Sequence, residues 1–307
     1  MVLRNNPIPF LALLVCSAAQ AQSGPEGMRL SVDTTLVLVP VTVTDSANRY
    51  VLGLDKSNFR IFEDDAEQKI KQFSGEDAPL SVGLILDTSA SIGSKLGTCR
   101  EAVEQFLKTM NAGDEAFLIE FSDHADLTVS LTRDTGRIVD KLNAAQTGGT
   151  TAMFDALYLG LHEMKNARNP RKTLIVISDG GDNHSVFSAK EIMDFAREAD
   201  VQIYAMGVFE PAPSFGLSAA EMGGPRLLSN IAEQTGGRAF PASSLDALPA
   251  IAARIGIELR NQYVLAYSPG NSARDGKYRK LNVKLKEPEG ITGLKARWRL
   301  GYFASVQ

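Results

Sequence analysis

From residue 36 the chain alternates. Leu36, Leu38, Pro40, Thr42 and Thr44 interleave with Val37, Val39, Val41 and Val43. A period of two, with one face wholly apolar and the other mixed, predicts a half-buried strand. The stretch "NFRIFEDDAEQKIKQF" then reads as strand, acidic turn, strand, which makes residues 27–78 an N-terminal β segment. The rhythm changes at residue 80. Apolar runs, "VGLILD", "AFLIEF", "TLIVIS" and "VQIYAMGV", alternate with amphipathic helical stretches near 92–111, 152–167, 188–199 and 225–235. Short Val/Ile/Leu runs separated by helices imply a doubly wound, mostly parallel sheet covered by helices on both faces. This α/β domain is expected over residues 80–241, with the alternating piece "HADLTVSLT" as an edge strand added antiparallel. Residues 242–307 hold a helix, "SLDALPAIAARIGIELRN", and then three strands, "QYVLAYSP", "KYRKLNVKLKE" and "LKARWRLGYF". Neither β flank is large enough to bury a core alone. The N- and C-terminal strands are therefore expected to meet as one small β unit beside the α/β domain.

The first residues follow another logic. Arg4 precedes an apolar stretch from Ile8 to Val15, and Ala19-Gln20-Ala21 supplies the small-x-small pattern of a signal-peptidase site. Residues 1–21 are expected to be a signal peptide cleaved near Ala21, its apolar stretch too short for a permanent membrane span. The mature protein would be exported, periplasmic or extracellular, with no transmembrane segment. Cys16 raises a lipid-anchored alternative, although Val15 is larger than the small residue that usually precedes a lipidated cysteine. Removal of the signal leaves Cys99 as the lone cysteine, so no internal disulfide is expected. Hydrophobic residues make up 44% of the chain and the net charge is −4. With no long basic block, nucleic acid is not an expected partner.

The candidate chemistry lies where the buried runs end. In an open parallel sheet, ligands bind beyond the carboxyl ends of the strands. "SVGLILDTSASIG" drives an apolar run into Asp87, followed by Ser89 and Ser91. Three oxygen side chains at alternate positions can converge on one point, and oxygen-only ligands suit Mg²⁺, Mn²⁺ or Ca²⁺. No His or Cys stands nearby to suggest zinc. One carboxylate is too little charge for a divalent ion, so other strand ends should contribute. "TGGTTAMFDAL" places Thr150 after a glycine pair, and "LIVISDGGD" ends a buried run in Asp179. Asp182 and His184, just beyond, read as exposed loop residues. Asp155 either hydrogen-bonds near the site or favours its helix start through the dipole.

"DTSAS", "GGT" and "SDG", in that order, resemble the metal-ion-dependent adhesion site of von Willebrand factor A domains. The resemblance implies that Ser89 and Ser91 are direct metal ligands. It implies that Asp87 and Asp179 are acidic ligands acting directly or through water. Thr150 would move in or out of the metal's coordination shell, with Thr151 as its possible substitute. The flanks "FRIFEDDAEQKIKQFSGEDAPLSV" and "NQYVLAYSPGNSARDGKYRKLNVKL" are similar to those of an acidobacterial-type group of secreted proteins with this domain.

The function this implies is non-catalytic: a secreted binding module that recognises a protein partner through a divalent cation, the partner donating a Glu or Asp carboxylate. The first alternative is a non-motor subunit of a larger metal-dependent or ATPase-driven machine. The chain itself carries no GxxxxGK[ST] loop, and the signal peptide argues against a cytoplasmic assembly. The second is a metal-dependent hydrolase, which would need a general base near the metal. Of His124, His162 and His184, only His184 falls close in sequence to a proposed ligand, and no GxSxG elbow is present. The acidic turn "EDDAEQ" is a weaker cation candidate and reads as solvated surface.

Overall fold

The computed structural model describes residues 36–75, 77–208, 219–242 and 244–306. The predicted signal peptide and Cys16 lie outside the described residues. The chain begins with β1 (Val37–Thr44), β2 (Phe59–Glu63), β3 (Ala66–Gln68) and β4 (Ile70–Ser74). The α/β part follows as β5 (Leu80–Asp87), α1 (Leu96–Leu107), β6 (Glu115–Phe121), β7 (Ala125–Thr132), α2 (Thr135–Ala144), α3 (Met153–Glu163), β8 (Arg171–Ser178), α4 (Ala189–Glu198), β9 (Gln202–Gly207), α5 (Ala219–Gln234) and β10 (Ala239–Pro241). The last elements are α6 (Leu248–Arg260), β11 (Gln262–Tyr267), β12 (Tyr278–Leu285), β13 (Lys295–Arg297) and β14 (Gly301–Phe303).

The strand order of the central sheet is β10-β9-β8-β5-β6-β7, parallel throughout except for the antiparallel edge strand β7. All eight residues of β5 are buried, as a strand with neighbours on both edges and helices on both faces requires. One face packs Leu84, Leu86 and Tyr204 against α1, α2 and α6; the other packs Ile85, Phe117 and Val176 against α3, α4 and α5. A Cβ on Gly83 would overlap the Phe117 ring and Leu174, so the middle of the sheet holds nothing larger than glycine there. Helix α2 is not among the helices the sequence predicts. Only Ile138 and Leu142 are buried along it, a single i,i+4 pair that leaves too short a periodic signal.

The terminal strands do meet beside the α/β part, as two four-stranded sheets in the orders β13-β1-β11-β4 and β14-β12-β2-β3. They share one core that includes Val39, Val41, Val43, Ile61, Leu265, Tyr267 and Val283. Two predicted strands divide to make this possible. "AEQKIKQF" splits into β3, paired with β2, and β4, paired with β11. "LKARWRLGYF" splits into β13, on β1, and β14, on β12. Between the last two, the Trp298 indole N–H donates to the Leu281 carbonyl and the Leu300 N–H to the Gln234 carbonyl. The acidic turn is structural in part. Asp64 and Asp65 adopt left-handed backbone, Asp64 accepts the Lys280 N–H, and buried Glu63 accepts from the hydroxyls of Tyr267 and Tyr302.

The flanking sheets are tied to the α/β part through Glu258 on α6, whose side chain is fully buried. Its Oε1 accepts from the Tyr204 hydroxyl of β9 at 3.1 Å and from Arg297 of β13 at 2.9 Å. Its Oε2 accepts from the Tyr50 hydroxyl at 3.3 Å. Gln262 at the start of β11 donates to the Tyr204 hydroxyl and to Thr42 of β1, extending the network into the flank.

Candidate metal centre

Asp87 is the last residue of β5, held between Phe121 of β6 and the end of β8. The strand delivers it fully buried. Its Oδ1 accepts from the Ser89 N–H at 2.9 Å and the Ser89 hydroxyl at 2.6 Å; its Oδ2 accepts from the Ser178 hydroxyl at 2.6 Å. The Ser91 hydroxyl lies 3.0 Å from that of Ser89, so one string of oxygens runs from the exposed Ser91 to the carboxylate at the floor. Burial pushes the Asp87 carboxyl up to about 6 against the hydrogen bonds from Ser178 and Ser89, and the charge of Asp179 pushes the same way as burial. Asp179 follows β8, is half-buried, and accepts from the Gly181 N–H at 3.3 Å. Among the described residues neither Asp87 nor Asp179 has a cationic side chain as a partner.

The loop carrying Thr150 is laced to the "DTSAS" loop, with Gly148 N–H donating to the Thr88 carbonyl and Ala90 N–H to the Gly149 carbonyl. Thr150 is exposed, but its hydroxyl is not part of the Asp87 string. Both its N–H (2.7 Å) and its hydroxyl (2.6 Å) donate to Oδ1 of Asp123, which lies just after β6. Those two bonds hold the Asp123 carboxyl below the usual carboxylate range. The second glycine of the pair is explained here. Gly149 has φ +77°, and a Cβ on it would come within 2.6 Å of Asp123 Oδ1, so the close approach it permits is that of a carboxylate of this chain. Asp123 was legible only as one acid in "FSDHA"; nothing in the spacing marks it as the partner of a threonine 27 residues on. Thr151 is buried and its backbone pairs with Asn183 and His184 of the third loop.

Asp155 and Asp182 have work that the sequence shows only partly. Helix α3 has Ala152 at its cap position, and a methyl side chain accepts no backbone N–H. The cap comes from the third loop instead, where Asp182 and Ser185 accept the N–H of Phe154 at 2.9 and 3.0 Å. Asp155 returns the favour by accepting from the N–H groups of Val186 and Phe187. Asp182 is thus half-buried bracing rather than free surface, while His184 is exposed.

Cys99, on α1, is buried, and its thiol is pushed up to about 12 mainly by that burial, with the Asp87 charge adding to it. The thiolate is the reactive form. The chain without residues 1–21 is therefore expected to give no reaction with a thiol reagent at neutral pH until it unfolds. One rapid equivalent in native buffer would show that Cys99 is open.

The donor set fits a hard cation: two carboxylates and two or three hydroxyl oxygens. A buried carboxylate without a cationic partner fits as well, because buried charges are paired or coordinate metals.

Residues 82–181 match the family of von Willebrand factor type A domains. An uncharacterized protein of Borreliella burgdorferi is 23% identical over 181 residues, covering 52% of this chain and 53% of that one, so the chain spans about half the length of this relative. A von Willebrand factor type A structure from Catenulispora acidiphila superposes with a TM-score of 0.52 at 12% identity, covering 91% of this chain and 76% of the other. Proximal thread matrix protein 1 from the mussel byssus gives a TM-score of 0.51 at 19% identity, covering 64% and 51%. At such identities the likeness is one of fold. The protein has a von Willebrand factor A-like α/β fold with additional antiparallel sheets built from its N- and C-terminal strands.

Proposed function

We propose that this protein is an exported, non-catalytic binding module that recognises a protein partner through a divalent cation, Mg²⁺ or alternatively Mn²⁺ or Ca²⁺. The observation that carries the reading is Asp87. It is a fully buried carboxylate at the end of the central strand, beside a second carboxylate and without a cationic partner among the described residues. Asp87, Ser89, Ser91, Asp179 and Thr150 would hold the ion. When bound, the ion supplies a positive charge only partly neutralised by the two acids, which attracts a Glu or Asp carboxylate from a partner. The chain's own part is to orient the ligands. Ser89 is pinned by Asp87, Ser91 by Ser89, and the third loop by its reciprocal bonds with α3. Asp123 keeps the proton of the Thr150 hydroxyl directed at itself, leaving the oxygen lone pairs of Thr150 for other partners.

Calorimetric titration of Mg²⁺ and Mn²⁺ into residues 22–307 tests this. Saturable binding at one site per chain is expected, and its loss in a Ser89→Ala/Ser91→Ala double variant that melts like wild type. For the partner, Mn²⁺-loaded protein is titrated with acetate and followed by water-proton relaxation. A saturable fall, absent from the double variant, is expected if a carboxylate displaces bound water. Equal metal binding by wild type and double variant would refute the site. Unchanged relaxation with acetate would refute carboxylate recognition.

A further inference from the structure

At the other end of the parallel sheet, away from Asp87, three arginines surround one carboxylate. Arg238 immediately precedes β10, Arg254 lies one helical turn before Glu258 on α6, and Arg297 ends β13. The guanidinium carbons of Arg238 and Arg254 lie 4.6 and 5.8 Å from the centroid of the same Phe240 ring. Arg297 is paired with Glu258 at 2.9 Å. The acid already accepts three hydrogen bonds, from Tyr204, Tyr50 and Arg297, and among the described residues neither Arg238 nor Arg254 bonds to it. Arg254 leans on the Tyr50 hydroxyl. Arg238 is half-buried, and among the described residues its side chain makes no hydrogen bond and no ion pair, only the ring contact. Burial and then the charges of Arg297 and Arg254 lower its affinity for its proton, only partly offset by Glu258.

We propose that Arg238, Arg254 and Arg297 form a binding site for a phosphate group, free or as a phosphate monoester, at the foot of the parallel sheet where α6 meets the flanking strands. The charge argues for phosphate over a carboxylate. Three guanidinium groups against one carboxylate leave two positive charges, and a phosphate monoester carries about −1.5 to −2 at neutral pH. The geometry argues for it too. A guanidinium presents a planar fork of N–H donors suited to phosphate oxygens, and two such forks stand on one ring with unfilled donors. Phe240 is itself buried in the core under α6, so it fixes where the forks sit. The site shares no residue with the proposed metal centre and does not depend on it.

The test is thermal melting of metal-free protein at constant ionic strength in inorganic phosphate, glycerol phosphate, acetate or chloride. For the wild type, about 20 mM phosphate is expected to raise the melting temperature by about 3 °C over chloride. Arg238→Gln and Arg254→Gln should each lose most of that shift. Without phosphate, Arg238→Gln should melt close to wild type, because the like-charge repulsion it relieves offsets the contact with the Phe240 ring that it loses. Asp87→Ala should keep the full response, which separates this site from the metal centre. A response with inorganic phosphate alone assigns the free ion, and one shared with glycerol phosphate assigns the monoester. No shift in wild type, an equal shift in Arg238→Gln, or an equal shift with acetate would each overturn the proposal.

Discussion

Replacing Asp87 with asparagine is expected to raise the stability of the metal-free protein at neutral pH while abolishing its affinity for divalent cations. In the folded chain, burial lifts the Asp87 carboxyl from 3.8 to about 6. Between those values the folded state holds a proton that the unfolded state has released. Stability therefore falls as pH rises through this window, and the whole penalty is present above about pH 6. That displacement corresponds to about 3 kcal/mol. Asparagine is neutral at every pH and keeps the acceptor for Ser89. Its amide can donate to the Ser178 hydroxyl, which already accepts the Gly180 N–H and can turn its own proton aside. Denaturant unfolding in metal-free buffer should show Asp87→Asn ahead by up to about 3 kcal/mol near pH 7.5, the gap closing below about pH 4. Its metal affinity should fall by more than the roughly 10- to 100-fold typical of residues behind the ligands. If the two proteins keep the same stability difference at every pH, the buried charge is not what Asp87 costs the fold.

Glu258→Leu is expected to act in the opposite sense and to lower stability by about 3–5 kcal/mol. The leucine would fill the space, yet it would leave the proton of the fully buried Tyr204 hydroxyl without an acceptor and Arg297 without its acid. It would also leave Arg238, Arg254 and Arg297 with no negative charge among them. Because Glu258 links α6, β9 and β13, the loss should appear in one cooperative unfolding transition covering the α/β part and the flanks. Glu258→Gln keeps one acceptor oxygen and should lose roughly half as much, since the bonds from Tyr204 and Arg297 survive without charge assistance while the bond from Tyr50 must reverse, the amide donating to that hydroxyl. A Glu258→Leu variant within about 1 kcal/mol of wild type would mean that the surrounding arginines relax into water and that the network does not join the two parts.

What could be read before folding was whatever lies on one element or repeats along the chain. The apolar runs that end at Asp87 and Asp179 announce buried parallel strands, because a strand covered on both faces has no polar alternation to show. The alternation of "HADLTVSLT" likewise marks β7 as the half-exposed edge. Asp87, Ser89 and Ser91 are neighbours in sequence, so a loop at a strand end suffices to bring their oxygens together. Helix α2 and the division of two β stretches between separate sheets were not legible. A single buried i,i+4 pair and a chain crossing at Trp298 leave no periodic trace.

By itself, then, the sequence determined the doubly wound sheet and the order in which its strand-end loops follow one another along the chain. Each of these follows from local periodicity and from chain direction through a parallel sheet. Tertiary structure alone decided that the Thr150 hydroxyl turns to Asp123, that Asp182 and Ser185 cap α3 from a distant loop, and that one glutamate holds Tyr50, Tyr204 and Arg297. Those are pairings across 27 to 208 residues of chain. A hydrogen bond of that reach depends on where folding places two backbones in space, and nothing in the identity or spacing of its two residues encodes it.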